Sequence, residues 1–296
     1  MFKMKSALCI VAIFSLALVS CVERIPEKEL PNVNNGAITM VKATVKPLVI
    51  EGLAGTGAYK WDGIRTLGIY GTSGGVNECY LPVKSTAGSE MSHFYGNVVA
   101  GDLTIYSPHS VEGGQRALDG RVVVPSVQNY YADPFDHFMY NSTFLGQTST
   151  DAVEFDYHAG LVKILIKYDV EEIVSVRVLV GNLHSGYSEY IAGEISVVDG
   201  LVDENYSPSS SILIENFGGK GSTTENPLEV WLAAAPGTYE NFVIEITDKN
   251  DVTIASPVKG PFEVSRCTLT TNECVAEKID HNNSTDEYEG EEGRYN

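Results

Sequence analysis

The chain has 296 residues, and its hydrophobic fraction of 43% is enough for one large or two ordinary packed domains. It carries 20 Lys and Arg against 39 Asp and Glu, so its formal net charge at pH 7 is −19. Such an acidic surface argues against nucleic acid and anionic lipid headgroups as partners.

The amino terminus has the pattern of an export signal. Lys3 and Lys5 precede an apolar run over residues 7–19, which is shorter than the roughly 20 residues that a membrane-spanning helix needs. The run ends in Leu18-Val19-Ser20-Cys21, which resembles the lipobox recognised by bacterial lipoprotein signal peptidase. We therefore predict cleavage before Cys21 and lipidation of that cysteine. An ordinary signal peptide with a chance cysteine is the alternative.

Beyond a Pro- and Asn-containing tether at residues 21–37, apolar and polar residues alternate with a period of two. Clear examples are residues 41–46, 153–157, 174–180 and 242–247. This period gives one buried and one solvated face, which is typical of antiparallel sheet. Turn signals such as Gly113-Gly114 and Asp199-Gly200 separate the runs. The sequence predicts an all-β fold built from sandwiches.

A polar stretch at residues 146–150 separates an aromatic-rich first half from a second half rich in valine and isoleucine. After residue 279 the chain becomes an acidic segment of low complexity, which predicts disorder. We therefore predict a signal peptide at 1–20, a tether at 21–37, an N-terminal β-sandwich domain at 38–148, a C-terminal β-sandwich domain at 149–279 and a disordered acidic tail at 280–296.

Three cysteines remain once Cys9 leaves with the signal and Cys21 is lipidated. Outside the cytosol, an odd number indicates one pair and one free thiol. Cys267 and Cys274 are the candidate disulfide, with Cys79 left over. Two unpaired buried thiols are the alternative. Neither cysteine has the spacing of a zinc site, and no metal or other cofactor is predicted.

Motifs that could support catalysis have simpler explanations. Gly71-Thr72-Ser73-Gly74-Gly75 matches the G-x-S-x-G nucleophile elbow, but strand-like residues follow it where that motif requires a helix. We therefore interpret it as a strand-connecting turn. Asp133-Pro134-Phe135-Asp136-His137 could bind a cation, but a loop capped by its own aspartates explains it better. No enzyme activity is predicted.

Aromatic residues leave a second function open. Trp61, Trp231 and the Tyr130-Tyr131 pair could stack on sugars, so a surface glycan-binding lipoprotein is the alternative function. Tyrosine is also common in half-buried strands. An exposed row of rings would favour glycan binding, whereas buried rings would favour packing.

Several segments over about residues 38–266 carry a resemblance through their order. In the first half these are Trp61-Asp62-Gly63-Ile64, Leu67-Gly68-Ile69-Tyr70-Gly71, Phe94-Tyr95-Gly96-Asn97-Val98, Leu103-Thr104-Ile105-Tyr106-Ser107-Pro108 and Pro125-Ser126-Val127-Gln128-Asn129-Tyr130. In the second half they are the segment from Phe155 to Ile164, Ile191-Ala192-Gly193-Glu194 and Ala235-Pro236-Gly237-Thr238-Tyr239. In this order the segments resemble the Bacteroidetes fimbrillin-like family of surface lipoproteins, which includes type V pilins.

The resemblance implies two transthyretin-like antiparallel β-sandwich domains in tandem. It also implies an outer-membrane lipoprotein at the cell surface or in a fimbrium, with other fimbrial subunits or surface proteins as partners. The leading function is cell adhesion without catalysis, as a fimbrial (pilus) subunit or an anchored adhesin.

In the pilins of this family, a protease removes the first strand and a neighbour's carboxy-terminal strand replaces it. Here the strand to be removed is about residues 38–50, and the donor candidates are residues 261–265 and 275–279. The sequence departs from the family pattern because no arginine lies between Ile25 and Ile64. Lys60 and Arg65 are the nearest basic residues ahead of the next strand. An anchored, unprocessed protein is therefore the alternative to a polymerising subunit.

Overall fold

The computed structural model describes residues 37–71, 73, 76–110, 120–181, 189–197, 200–205 and 207–276. Nearly all of its regular structure is β-strand, which confirms the predicted all-β class. The strands are β1 (Ala37–Val45), β2 (Leu67–Gly71), β3 (Asn77–Pro82), β4 (Met91–Ala100), β5 (Leu103–Ser107), β6 (Arg121–Val124), β7 (Val127–Asn129), β8 (Phe144–Thr148), β9 (Ala152–Phe155), β10 (Gly160–Ile166), β11 (Ile173–Val180), β12 (Gly193–Ser196), β13 (Ser211–Glu215), β14 (Leu228–Ala234), β15 (Gly237–Asp248), β16 (Thr253–Val264) and β17 (Leu269–Ala276).

The strands form four sheets. Seven strands lie in the order β8-β5-β2-β3-β4-β1-β9, and five lie in the order β16-β15-β11-β13-β7. A three-stranded sheet has the order β14-β10-β17, and β12 pairs with β6. The ends of the seven-stranded sheet meet at a bridge between Leu145 and Asp156, so its two edges protect each other.

Helical structure is short. A 3-10 turn spans Lys84–Thr86, and the helix α1 spans Pro134–Asn141. The Asp133 side chain caps α1 by accepting hydrogen bonds from the backbone N–H groups of Phe135 and Asp136, and Pro134 occupies the first turn. The aspartate-capped loop of the sequence is thus the start of a helix. In the described part of the chain, no helix has the length and apolar character needed to cross a membrane.

The sheets are mixed, whereas the sequence predicted antiparallel sheets. Parallel pairs join β1 to β9, β10 to β17 and β13 to β7. Each of these pairs connects strands that are far apart in the chain. A period of two reports which face of a strand is buried, but it does not report the partner or its direction. The two tandem transthyretin-like domains stay a prediction.

Strand pairing also crosses the predicted domain boundary at 148/149. β9 follows that boundary but pairs with β1, at the end of the seven-stranded sheet. In the other direction, β6 pairs with β12 and β7 pairs with β13. The two halves therefore share hydrogen-bonded strands.

The core differs between the two halves in the way that the composition predicts. In the first half, Trp61 contacts Tyr59 and Phe94 edge-on, each at a centroid distance of 4.9 Å. In the second half, aliphatic residues make up a larger part of the core. Its fully buried members include Val176, Val178, Ile212, Ile214 and Ile244.

One predicted face is wrong by a single residue. The sequence places Val174, Val176, Val178 and Val180 on the same face of β11. The last three are buried, but Val174 is 48% exposed and Ile173 is buried in its place. The register against β15 shifts between Ile173 and Ser175, and this bulge turns the start of the strand over.

The difference in burial between Val174 and Val178 gives a matched test of the fold. We expect Val178→Asp to lower the free energy of unfolding by roughly 3–5 kcal/mol, because an unpaired carboxylate would enter the core. Val174→Asp should change it by less than about 0.5 kcal/mol, because that side chain faces solvent. Denaturant titration of both variants measures the two values. Equal destabilisation would contradict the register described here.

Candidate functional site

Strand β1 is paired on both sides, although it is the first strand of the described chain. It pairs antiparallel with β4 through residues 37–44 and parallel with β9 through residues 42–45. Val41 and Ala43 are fully buried, opposite Phe94 and Ser92 of β4. Loss of β1 would open a groove between two strands, with unpaired backbone groups on both walls.

The chain after β1 adds a second buried piece to this segment. Leu48 and Gly57 exchange backbone hydrogen bonds of 2.8 and 2.9 Å. Glu51 makes two further backbone hydrogen bonds of 2.8 Å to residues 267 and 269, at the start of β17. Tyr59 is only 2% exposed. Removing the amino-terminal segment therefore means extracting core side chains as well as one strand.

The two basic residues nearest the expected cleavage region differ in accessibility. Lys60 is exposed. Arg65 is held in place, because its guanidinium donates to the Ser107 hydroxyl at 3.0 Å and to the Ser142 carbonyl. The same group lies over the Phe144 ring at 4.4 Å from its centroid. Of the two, Lys60 is the one that a protease can reach.

Cys267 carries a free, partly buried thiol. Position 274 lies on β17, but its side chain is outside the described part of the structure. The disulfide between Cys267 and Cys274 stays a prediction.

Cys21, the acidic tail and the tether up to residue 36 lie outside the described residues, and Ala37 is the first residue of β1. So does most of the donor candidate at residues 275–279, whereas residues 261–264 belong to β16. Lipidation of Cys21 stays a prediction.

Both tryptophans are buried, which favours packing over stacking on sugars. Trp61 is 1% exposed, and Trp231 on β14 is 4% exposed. The Trp231 ring lies 5.4 Å from the Lys163 ammonium, a side chain of the neighbouring strand β10. Large apolar rings contribute most to stability when they are removed from water, and these two serve the cores.

The tyrosine pair divides between packing and the surface. Tyr130 stacks on Phe217, with ring centroids 4.7 Å apart. Tyr131 is half-buried and contacts Tyr140 of α1 at a centroid distance of 5.2 Å. Of the four aromatic residues predicted as stacking platforms, Tyr131 is the one that lines an open groove.

This groove has a volume of about 360 Å³, and we call it the tyrosine groove. Its lining includes Asp62, Ile64, Arg65, Asn129, Tyr131 and Tyr140. The residues come from the loop before β2, from β7 and its following loop, and from α1. No local sequence pattern connects these residues. Of those named here, the sequence marked only Tyr131 as a candidate binding residue.

Asn141 fixes α1 against the outer edge of β7. Its side-chain oxygen accepts the backbone N–H of Asn129, and its side-chain nitrogen donates to the Asn129 carbonyl, both at 2.8 Å. The same nitrogen donates to the His137 carbonyl at 3.0 Å. The amide thus takes the place of a neighbouring strand and holds Tyr140 beside Asn129 across the groove.

The side-chain amide of Gln128 also pairs with backbone groups of an edge strand. Its side-chain nitrogen donates to the carbonyls of Ala233 (2.6 Å) and Pro125 (3.0 Å), and its side-chain oxygen accepts the Ala233 N–H at 3.0 Å. Ala233 lies on β14, an edge strand of the three-stranded sheet. Gln128 is 1% exposed, so these bonds satisfy groups that water does not reach.

His137 of α1 completes this buried network. Its Nε2 lies 3.1 Å from the Gln128 side-chain oxygen, which can only accept, so the ring carries its proton on Nε2. Among the described residues, Nδ1 has no hydrogen-bond partner. Burial lowers the pKa of His137 to about 3, so the ring is neutral at physiological pH.

The tyrosine hydroxyls of the groove are also perturbed. Burial raises the pKa of Tyr131, and the negative charges of Asp136 and Asp62 raise it further. Burial and the same two carboxylates raise the pKa of Tyr140. Both phenols therefore stay protonated and can donate as well as accept hydrogen bonds.

A second cavity of about 210 Å³ lies next to the groove and shares Pro108, Pro125 and Thr143 with it. Its lining is mostly apolar and includes Glu194 and Arg121, which forms an ion pair of 2.7 Å with Asp203. Within the described residues, no group of three or more His, Cys, Asp or Glu side chains is placed to hold a metal ion.

The Gly71–Gly75 pentapeptide connects β2 to β3, which pair antiparallel from Leu67–Tyr80 to Tyr70–Asn77. Ser73 lies in the turn. A nucleophile elbow needs a helix after the turn, and here a strand follows. The interpretation as a strand-connecting turn is confirmed.

Comparison with known proteins finds likeness only among solved structures. No family model and no curated protein matches the chain. A candidate cell adhesion protein from Bacteroides ovatus matches with a TM-score of 0.40 and 12% identity, over 76% of this chain and 88% of that one. A candidate cell adhesion protein from Bacteroides fragilis matches with a TM-score of 0.36 and 10% identity, over 78% and 91%.

A fimbrial protein from Bacteroides ovatus also matches, with a TM-score of 0.35 and 11% identity, over 83% of this chain and 49% of that one. The matched structures thus come from the Bacteroidetes adhesion and fimbrial proteins that the sequence resembles.

The buried histidine predicts acid sensitivity. The pKa of His137 falls from its ordinary 6.5 to about 3 on folding, so only the unfolded chain takes up this proton between those values. The neutral His137 ring therefore contributes fully to the free energy of unfolding above about pH 6.5. This contribution is lost as the pH falls below that value, by about 1.4 kcal/mol per pH unit. His158, whose pKa burial lowers to about 4, adds to the loss.

The matched variant is His137→Gln, which does not titrate. Its free energy of unfolding should fall less steeply than that of the wild type between about pH 6.5 and pH 4.5, in denaturant titrations at several pH values. Identical slopes for the two proteins would contradict the assignment to His137.

Proposed function

We propose that this chain is a non-catalytic cell-surface lipoprotein of the fimbrillin type. It acts in cell adhesion, as a fimbrial subunit or as an anchored adhesin. The partners are other fimbrial subunits or surface proteins, and the lipid on Cys21 anchors the chain in the outer membrane. The ordered segments that resemble fimbrillins support the family, and the lipobox supports the anchor.

The observation that carries the proposal is the position of β1. An amino-terminal strand that is paired on both sides leaves a two-walled slot when it departs. An incoming strand would regain backbone hydrogen bonds from both walls, and the pockets of Val41 and Ala43 would select its side chains. An edge strand would offer only one wall. This arrangement supports assembly by donor-strand exchange.

The exposed Lys60 supports a route to the open form. It lies after the last buried residue of the amino-terminal segment, Tyr59, and before the Trp61 ring that fills the core. A cut at this position leaves Trp61 with the body of the protein. The free segment would then be held only by its noncovalent contacts, including the buried side chains of Leu48 and Ile50.

The anchor is tested by replacing the lipidated residue. We expect Cys21→Ala to abolish labelling by a fatty-acid probe and to release the protein from membranes, because no acyl chain would hold it. Cells of a Bacteroidetes host that carry this variant should lose the attachment that the wild-type protein confers. Cys79→Ala is the control and should leave both labelling and attachment unchanged. Unchanged labelling of Cys21→Ala would refute the anchor.

Strand exchange is tested by cutting at one site. We insert a site-specific protease sequence after Lys60 in the purified full-length protein, cleave it, and release the segment with mild denaturant. After removal of the denaturant, size-exclusion chromatography should show a ladder of oligomers, because the open slot exposes apolar surface and unpaired backbone.

The control carries the same insertion after Asn250, in the exposed turn between β15 and β16, where a cut frees no amino-terminal strand. It should stay monomeric. If the protein cut after Lys60 also stays monomeric while intact protein mediates attachment, the chain is an anchored adhesin and not a polymerising subunit.

A further inference from the structure

The tyrosine groove presents rings at its surface instead of in the core. Tyr131 and Tyr140 are both half-buried, and their ring planes meet at 34°. Ile64 and Val127 extend the apolar surface beside them and are 79% and 56% exposed. Large apolar side chains that are exposed together around a concave site are typical of binding surfaces.

The polar groups of the groove include an anionic hydrogen-bond acceptor at its rim. The Asp62 carboxylate is exposed, and one of its oxygens accepts the backbone N–H groups of Ile64 and Arg65 at 2.8 Å. These two bonds hold the carboxylate in place at the rim. The Asn129 side-chain oxygen already accepts from the Asn216 side-chain nitrogen, so its own side-chain N–H groups are the ones offered to a ligand, and the two tyrosine hydroxyls can both donate and accept.

The N–H groups of the basic side chain in the described lining are already hydrogen-bonded within the protein. Arg65 is the basic side chain of the described lining, and its donors are directed to Ser107, Tyr140 and Ser142. Asp62 and Asp136 place negative charge near both rings, as their effect on the tyrosine pKa values indicates. The net charge of the whole chain is also strongly negative. A sulfated or sialylated ligand would be repelled.

Size and chemistry together select the ligand class. A volume of 360 Å³ is at the lower end of the range of about 300–1,000 Å³ for small-molecule sites. A sugar ring has an apolar C–H face that can lie on a tyrosine and a rim of hydroxyls that can donate to a carboxylate. The groove offers both kinds of surface side by side.

We propose that the tyrosine groove binds a neutral glycan, with one sugar ring packed on Tyr131 and Tyr140 and its hydroxyls hydrogen-bonded to Asp62 and Asn129. This inference rests on the proposed adhesive function and gives that function a ligand class. A basic peptide is the competing ligand, since a cation can also lie over a tyrosine near carboxylates. The groove, however, provides hydroxyl partners around the rings and not a closed aromatic cage.

The test begins with the purified full-length protein on an array. The array carries neutral oligosaccharides containing galactose, mannose, fucose or N-acetylglucosamine, their sialylated and sulfated forms, and an oligoarginine peptide. We expect binding to one or more neutral glycans and weaker binding to the acidic forms of the same glycans. Absence of binding to any neutral glycan, or preference for the acidic forms or the peptide, would overturn the proposal.

Calorimetry with the best neutral glycan then locates the site. Tyr131→Ala and Tyr140→Ala should each weaken binding about tenfold, and Asp62→Asn should weaken it less. Tyr95→Ala is the matched control, because Tyr95 is an exposed tyrosine on β4, outside the groove. Thermal melting of each variant confirms that it is folded.

Equal affinity of the wild type and Tyr131→Ala would place the glycan elsewhere and overturn the site. Tyr131→Phe keeps the ring and should bind within about twofold of the wild type. The proposed function is judged separately, by whether cells that display the wild-type protein attach and cells with Cys21→Ala do not. Attachment without glycan binding would refute the ligand and leave the adhesive function standing.

Discussion

The carboxamide of Gln128 occupies the place of a neighbouring strand beside Ala233, and much of the structure depends on this contact. Its two atoms satisfy the backbone N–H and carbonyl of an edge strand, while His137 donates to the same side-chain oxygen. A single side chain therefore joins β7, α1 and β14. Gln128, His137 and Ala233 are all buried. A polar group left without a hydrogen bond at such a place would lower the free energy of unfolding by about 1–3 kcal/mol.

A second side-chain amide pairs with backbone groups one turn further along α1, where the Asn141 amide bonds to the N–H and carbonyl of Asn129. Sheet edges that could add a foreign strand are thus covered by side-chain amides at these two points. These two amide contacts also determine the shape of the protein surface beside α1. Because α1 is fixed to β7 at both amides, Tyr140 and Tyr131 are held in contact with each other, and the groove that they line is preformed, which reduces the free-energy cost of ordering it on binding.

The two candidate functions of the chain lie in different parts of the structure. The slot of β1 belongs to the seven-stranded sheet, whereas the tyrosine groove lies where the loop before β2 meets β7 and α1. Arg65 connects the two regions, since its guanidinium lies over the Phe144 ring of the aromatic core and also lines the groove. Apart from this arginine, the two proposals concern different residues, so separate substitutions can test them.

The sequence by itself determined the all-β class, the turn at Gly71–Gly75 and the inward faces of most strands, because a period of two and turn residues act locally. The buried row Phe242, Ile244 and Ile246 is one example. Only the tertiary structure decided that Trp61 and Trp231 are core residues, that β11 turns over at Ile173, and that Tyr131 meets Tyr140. These outcomes depend on the partner of each strand. Hydrogen bonding between segments up to about a hundred residues apart selects that partner, and no local pattern encodes it.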